Sequence, residues 1–281
     1  MAMAVRKIDE EPTILIGGDP EFFVHHNGTV VSSRGMLGGS KNEPRKLEHG
    51  SVQEDNIMLE LNLTPAGNLK QFNANVHDLL NEVRSHLSGV QVALLVASPE
   101  IIMTHDLMAR QEAQEFGCEP DYNAWTGKRN KTPKLERDEW RYAGGHIHAS
   151  VDRILTKSQQ RNIVKWYDIS VGLYCTINDP AAKRAAVYGT AGRFRHTRYS
   201  ENCTGVEYRV PSNFWVGSHH ADNIFLLSQW AMKKGLKNDF HDDTVGIEGI
   251  ELMVQEAINN RDKELARFLY GRVMAIHAIG Q

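Results

Sequence analysis

The stretch Tyr142-Ala143-Gly144-Gly145-His146-Ile147-His148-Ala149-Ser150 decides how this chain is read. Side chains alternate across a β-strand, so His146, His148 and Ser150 share one face while Ile147, Ala149 and Val151 take the other. Three further segments carry the same parity. Gly17-Gly18-Asp19-Pro20-Glu21-Phe22 pairs Asp19 with Glu21, and Asp55-Asn56-Ile57-Met58-Leu59-Glu60 pairs Asn56 with Glu60. Gly205-Val206-Glu207-Tyr208-Arg209-Val210-Pro211-Ser212 pairs Glu207 with Arg209. Four strands, each apolar on one face and ionisable on the other, indicate a sheet whose second face is a site and not a solvated surface. Glycines stand beside three of them, where backbone must approach closely.

The 281 residues suffice for one large domain or two small ones with a sizeable core. A hydrophobic content of 41% and a charged content of 24% are those of an ordinary globular protein. A net charge of −3 exerts no global pull toward nucleic acid or anionic membrane. Cys118, Cys175 and Cys203 are odd in number and widely spaced, which argues against a disulfide framework or a thiolate zinc site and for a reducing cytoplasm. Residues 1–11 are charged and lack the apolar core of a signal peptide, and no apolar run approaches a membrane span. The expectation is a cytoplasmic protein with no membrane partner.

Residues 13–17, 21–26 and 29–33 read as short strands, with Asn27-Gly28 as a hairpin turn. Residues 35–50 read as a loop. Residues 57–63 alternate, with Ile57, Leu59, Leu61 and Leu63 inward and Met58, Glu60 and Asn62 outward. Leu69, Phe72, Val76, Leu79, Leu80, Val83 and Leu87 recur at helical spacing. Residues 90–97 read as a buried strand, 112–133 as a long loop of the kind that is usually functional, and 157–177 as a helix. The Gly- and Arg-rich residues 188–198 read as a loop, and helices close the chain from about residue 223. Strands and helices do not alternate as βαβ units, so the expected class is α+β: a mainly antiparallel sheet with helices packed on one face. The expected organisation is an N-terminal extension at 1–12 and a single domain over 13–281.

Asp19, Glu21, Glu60, Glu207 and His146 form a set of hard oxygen donors with one imidazole, which suits Mg²⁺ or Mn²⁺ better than zinc. Carboxylates converging on one cavity repel, and cations resolve the repulsion. Arg193, Arg195, Arg198 and Arg209 supply the complementary charge, and cations opposite guanidinium groups hold a polyphosphate in line for transfer. Each element also has a plainer reading. Asp-Pro-Glu is a common solvated turn, Glu-x-Arg a cross-strand ion pair, and His-x-His a half-exposed strand. Arg193 to Arg198, and the basic residues Lys128, Arg129, Lys131 and Lys134, read equally as solvated loops or as phosphate clamps. It is the agreement of parity that favours a joint site.

Taken in order, these motifs resemble the glutamine synthetase-like carboxylate–amine ligase superfamily. Gly-Gly-Asp-Pro-Glu-Phe, Asp-Asn-x-x-x-Glu, Gly-Gly-His-Ile-His and Glu-Tyr-Arg-Val-Pro-Ser-Asn-Phe-Trp are more closely similar to the phage-encoded type 2 amidoligases, the phiEco32-like COOH–NH2 ligases. The resemblance spans residues 14–216. It implies a curved antiparallel sheet, like the glutamine synthetase catalytic domain, whose concave face holds ATP and divalent cations. There ATP phosphorylates a carboxylate and an amine attacks the acyl phosphate to give an amide. It further implies that Asp19, Glu21, Glu60, His146 and Glu207 are metal ligands, with Glu207 bridging metal and phosphate. His148 would lie near the nucleotide phosphates; Lys131, from the charge of its basic loop and not from the resemblance, is a further candidate phosphate contact. Arg209 would hold the transferring phosphoryl group, and Arg193 and Arg195 would neutralise phosphate or substrate carboxylate. The chain departs from glutamine synthetase in having Asp-Pro-Glu for a pair of glutamates, and only Glu60 where that enzyme has two; Glu54 and Asp55 are the candidates for the gap.

The implied partners are a small-molecule or peptide carboxylate and an amine, in a host cytoplasm if the chain is phage-encoded. Three other readings use the same residues. A phosphotransferase of the guanidino-kinase kind would stop at phosphoryl transfer, a metal-dependent hydrolase would need no ATP, and a nucleic-acid-binding protein would use only the basic loop.

Overall fold

The computed structural model describes residues 11–88, 93–96, 98–114, 121–131 and 139–277. Most of the N-terminal extension, Cys118, Lys134 and parts of the expected 90–97 strand and 112–133 loop lie outside the described residues. The strands are β1 (Ile14–His26), β2 (Thr29–Val31), β3 (Arg45–Lys46), β4 (Gly50–Asp55), β5 (Met58–Leu63) and β6 (Ala93–Val96). They continue with β7 (Glu100–Ile102), β8 (Tyr122–Asn123), β9 (Trp140–Tyr142), β10 (Gly145–Val151), β11 (Arg193–Ser200) and β12 (Cys203–Tyr208). All but β7 and β9 belong to one open ten-stranded sheet of order β3-β4-β5-β1-β10-β12-β11-β8, with β2 and β6 also paired to β1. Every pairing is antiparallel.

The first strand organises the sheet by changing partners along its length. Ile14 to Pro20 pair with β10, Glu21 to Phe23 with β5, and Phe23 to His26 with β6. The two short strands expected over 13–26 are therefore one. Asn27 and Gly28, at φ of 51° and 80°, then make the tight turn into β2.

Alternation sorts each strand into a core face and a site face. Ile16, Phe22 and Val24 of β1, Leu59 and Leu61 of β5, Ile147 and Ala149 of β10, Phe194 of β11, and Val206 and Tyr208 of β12 are buried in one core. Helices cover that face. Leu69–Ser88 buries Phe72, Val76, Leu79, Leu80, Val83 and Leu87, the stripe its helical spacing predicts. Lys157–Tyr167 contributes Ile163, Val164, Trp166 and Tyr167, and His220–Lys237 contributes Ile224, Phe225 and Leu227. Helices Ile250–Asn259 and Lys263–His277 extend the same core at the chain's end. Among the described residues no helix is long and apolar enough to cross a membrane.

The structure corrects two expectations. Residues 55–60, read as one strand segment, span a turn: the strand expected at 57–63 is the second half of a hairpin with β4, in which Asp55 pairs with Met58, so Asn56 and Ile57 form the turn, Asn56 at φ 54°. The Arg-rich segment expected as a loop is strand β11, paired with β12 from Phe194 to Ser200. Its core-side residues are Phe194 and His196, too few apolar positions for the alternation to show against the arginines.

Candidate active site

Cross-strand register converts the alternating residues into rungs on the face opposite the helices. Gln53, Glu60 and Glu21 are successive partners across β4, β5 and β1. One rung along, Asp19 is opposite His146. The next holds Gly17, His148, Glu207 and Arg195 across β1, β10, β12 and β11. Asp55 stands one step beyond Gln53, opposite Met58. The parity pairs read from the sequence are thus brought onto one surface, although Asn56 belongs to the turn and Asp55 takes its place on the strand.

Glycines let the backbone close up here. A Cβ on Gly145 would stand 2.2 Å from the Ser212 carbonyl oxygen and 2.7 Å from Trp215 Nε1. That indole donates to the Gly145 carbonyl at 3.0 Å, and its ring stacks on Phe72 at 5.9 Å, so Trp215 is a core residue that props the site strand. The Gly144 N–H donates to Glu21 Oε2 at 2.6 Å and aims that carboxylate.

Two sets of donors converge. Ligand atoms of Glu21, Asp55 and Glu60 lie within 4.8 Å of one another, as do those of Asp19, His148 and Glu207. In the first set burial raises all three carboxyls, and mutual repulsion adds to it: Glu21 is pushed up to about 7 by burial and Asp55, against the Gly144 N–H. Glu60 is held well above the ordinary range by burial and by Asp19, Glu21, Asp55 and Glu207, and Asp55 is raised by burial. In the second set burial is opposed by opposite charge. Desolvation raises Asp19, but His148 and His146 prevail and hold it far below its usual range. Desolvation likewise raises Glu207, and Arg209, His146 and His148 together outweigh it.

Both histidines face Asp19. His146 Nδ1 is 3.3 Å from Asp19 Oδ1 and 3.6 Å from Glu207 Oε1, with Arg209 Nη1 at 3.4 Å from the same nitrogen. Burial and the Arg209 charge push His146 down to about 4. His148 Nε2 is 3.1 Å from Asp19 Oδ2. Yet His148 Nε2 and Asp19 Oδ1 are buried atoms without a hydrogen bond. Nearness without hydrogen-bond alignment is how ligand atoms are arranged around a shared cation, and the donor set fits Mg²⁺ or Mn²⁺.

Guanidinium groups border the acidic sets. Arg195 Nη1 donates to both Glu207 oxygens, at 3.1 and 3.3 Å. Arg209 donates to Glu207 through Nη1 and, on its other side, approaches Asp121 at 3.7 Å. Asp121 also pairs with Arg193 at 3.1 Å and accepts from Asn130 Nδ2 at 3.0 Å. Asp19, Glu21, Glu60, His146, Glu207, Arg195 and Arg209 line one cavity of about 460 Å³, within the range of small-molecule sites. His148 is outside that lining and reaches the site through Asp19. Arg193 is also outside it, buried against Asp121, and Lys131 is exposed on its loop away from the cavity.

The structure chooses between the two candidates for the missing acid and adds residues that the sequence reading did not name. Asp55, one of two candidates for the missing acid, is in the first carboxylate set, whereas Glu54 on the other face accepts from the Gly35 and Gly38 N–H groups. The signal for Asp55 was there, since Gln53 and Asp55 alternate with Val52 and Glu54 once the hairpin is seen. Arg184 lines the cavity from a short helix and donates to the carbonyls of Val210 and Arg209, at 2.7 and 3.2 Å. Neither Arg184 nor Asp121 sits in a pattern that distinguishes it from a surface charge.

No family model and no curated protein matches the chain. Among solved structures, it is similar to one described as a novel glutamine synthase homolog, at 9% identity and TM-score 0.41, covering 95% of this chain and 68% of that one. It is also similar to a GmaS/ADP complex, at 13% identity and TM-score 0.40, covering 95% of this chain and 67% of that one.

Proposed function

We propose that this chain is an ATP-dependent carboxylate–amine ligase, forming an amide or peptide bond through an acyl phosphate. The observation that carries the reading is the convergence, on one sheet face, of Glu21/Asp55/Glu60 and Asp19/His148/Glu207, with Arg195 and Arg209 bound to Glu207. Divalent cations held by these two sets would neutralise the carboxylates and the phosphates of ATP. Arg195 and Arg209 then face the charge that builds on the transferring phosphoryl group, already held in place by Glu207 and Asp121. The rest of the chain's contribution is positioning. The acid and the amine, small molecules or peptide ends, meet in a cavity that aligns them with the phosphoryl group.

The test is calorimetric titration of ATP with and without Mg²⁺, on the wild type and on Glu207→Ala. Binding that requires Mg²⁺ and is lost in the variant is expected, as is ADP release that depends on both an acid and an amine and falls at least ~100-fold in the variant. ADP release with a phosphorylated product and no amide would replace the ligase by a phosphotransferase. Metal-dependent hydrolysis without ATP would replace both.

A further inference from the structure

Strand β11 is regular from Phe194 to Arg198 and then slips: Arg198 partners Thr204 but Ser200 partners Cys203, leaving Tyr199 as the extra residue of a β-bulge. Bulges beside functional sites re-aim a side chain. Here the bulged tyrosine turns across β12 to His148, its hydroxyl 2.7 Å from Nδ1 and the two rings edge to face at 6.0 Å. Nδ1 is thereby occupied, and the other nitrogen of the ring, Nε2, is the one directed at Asp19, buried and without a hydrogen bond. A histidine presents one defined nitrogen to a cation only when its other nitrogen is fixed by a partner.

We infer that Tyr199 is a positioning residue for His148, its hydroxyl fixing the ring and its tautomer so that Nε2 serves the Asp19/Glu207 site. The inference rests on the reading above that a cation belongs at Asp19, His148 and Glu207. In the tautomer assigned here the tyrosine oxygen accepts from Nδ1–H, which leaves the Nε2 lone pair as the one that faces Asp19 and the cation position. A phenol's ordinary pKa of about 10 keeps it protonated near neutral pH.

Tyr199→Phe removes one oxygen and keeps the ring contact. Two measurements are made on the whole chain: the ring-nitrogen chemical shifts of the histidines by ¹⁵N NMR, and Mn²⁺ binding by electron paramagnetic resonance. His146, which does not touch Tyr199, is the internal control for an intact fold. In the wild type His148 is expected to show one defined tautomer. In Tyr199→Phe its two nitrogens should average while His146 is unchanged, and Mn²⁺ affinity at one of the sites should fall about 10- to 100-fold. Unchanged His148 shifts overturn the inference. So does an averaged His148 with undiminished Mn²⁺ affinity, since the tyrosine would then orient a ring that no cation uses. If the wild type takes up no Mn²⁺, the cation reading itself fails, and the inference about the ligand nitrogen falls with it whatever the shifts show.

Discussion

At the scale of single residues the site depends as much on an absent side chain as on those present. A Cβ at Gly144 would stand 2.5 Å from His146 Nε2 and 3.2 Å from Glu21 Oε2. The residue lies against both His146 and Glu21 and supplies the N–H that orients Glu21. Gly144→Ala is therefore expected to push the His146 ring off its position against Asp19 and Glu207. It should cost about 1–3 kcal/mol of stability, as overpacking does, and weaken the Mg²⁺-dependent ATP binding proposed above at the same time. Gly271 is the control: it lies in helix Lys263–His277 with nothing within 4 Å of an added Cβ. Gly271→Ala should stabilise by roughly 0.5–1 kcal/mol through helix propensity and leave ATP binding alone. Denaturant titration and calorimetry on the two variants separate these outcomes, and equal effects from both would sink the account of Gly144.

At the scale of elements, the helical run after β10 contains a π-helical turn, Asp168–Gly172, that places a carboxylate in the core. Asp168 is fully buried; its Oδ1 accepts from the Tyr208 hydroxyl at 2.7 Å and its Oδ2 from Trp125 Nε1 at 2.6 Å. Burial pushes it up from 3.8 to about 7 despite these bonds. A carboxyl with a raised folded pKa contributes stability while protonated, and that contribution is lost as pH rises from about 4 toward 7, on the order of 4 kcal/mol for the full shift. Asp168→Asn, which does not titrate, should remove this fall, seen as a smaller difference between denaturation midpoints at pH 5 and pH 8. A slope as steep as the wild type's would show that Asp168 is not responsible. Nothing in the sequence marks this residue, because an aspartate within a helical period reads as a solvated position. The same limit explains what else was legible. The apolar stripe of Leu69–Ser88 and the alternation around His146 are periodic over many residues and were readable. Strand β4, ended by the left-handed Asn56, and strand β11, with arginines filling its site face, are polar, so only pairing with their neighbours reveals them. The site followed suit: acids and histidines on alternating strands were found, with Asp55 left beside Glu54 as a candidate, while Arg184 and Tyr199 depend on contacts between distant segments.

At the scale of the whole molecule, a chain with a net charge of only −3 gathers Asp19, Glu21, Asp55, Glu60 and Glu207 into one cavity, with Arg195 and Arg209 both paired to Glu207. The Glu21/Asp55/Glu60 end is raised by burial and by its own repulsion, so the folded chain without a cation holds protons there that the unfolded chain releases. Stability of the cation-free protein should therefore decline as pH rises from about 4.5 through 7, where the native state binds more protons than the unfolded one. On the proposed function a cation would compete for the same oxygens and bind the ionised form, so its uptake would expel those protons. Two consequences are measurable. Mn²⁺ affinity should rise by up to about tenfold per pH unit for each proton displaced, levelling off above the pKa of the set. The increase in melting temperature at fixed Mn²⁺ should accordingly be larger at pH 8 than at pH 6. Glu60→Gln separates this from a general effect of pH, since Glu60 is repelled by four other carboxylates. That variant should be more stable than the wild type at pH 8 without cations, bind Mn²⁺ more weakly, and show a smaller pH dependence of the Mn²⁺-induced shift. A wild-type shift that stays constant between pH 6 and pH 8 would mean that no protons leave when the ion enters, and that the three carboxylates are not where it binds.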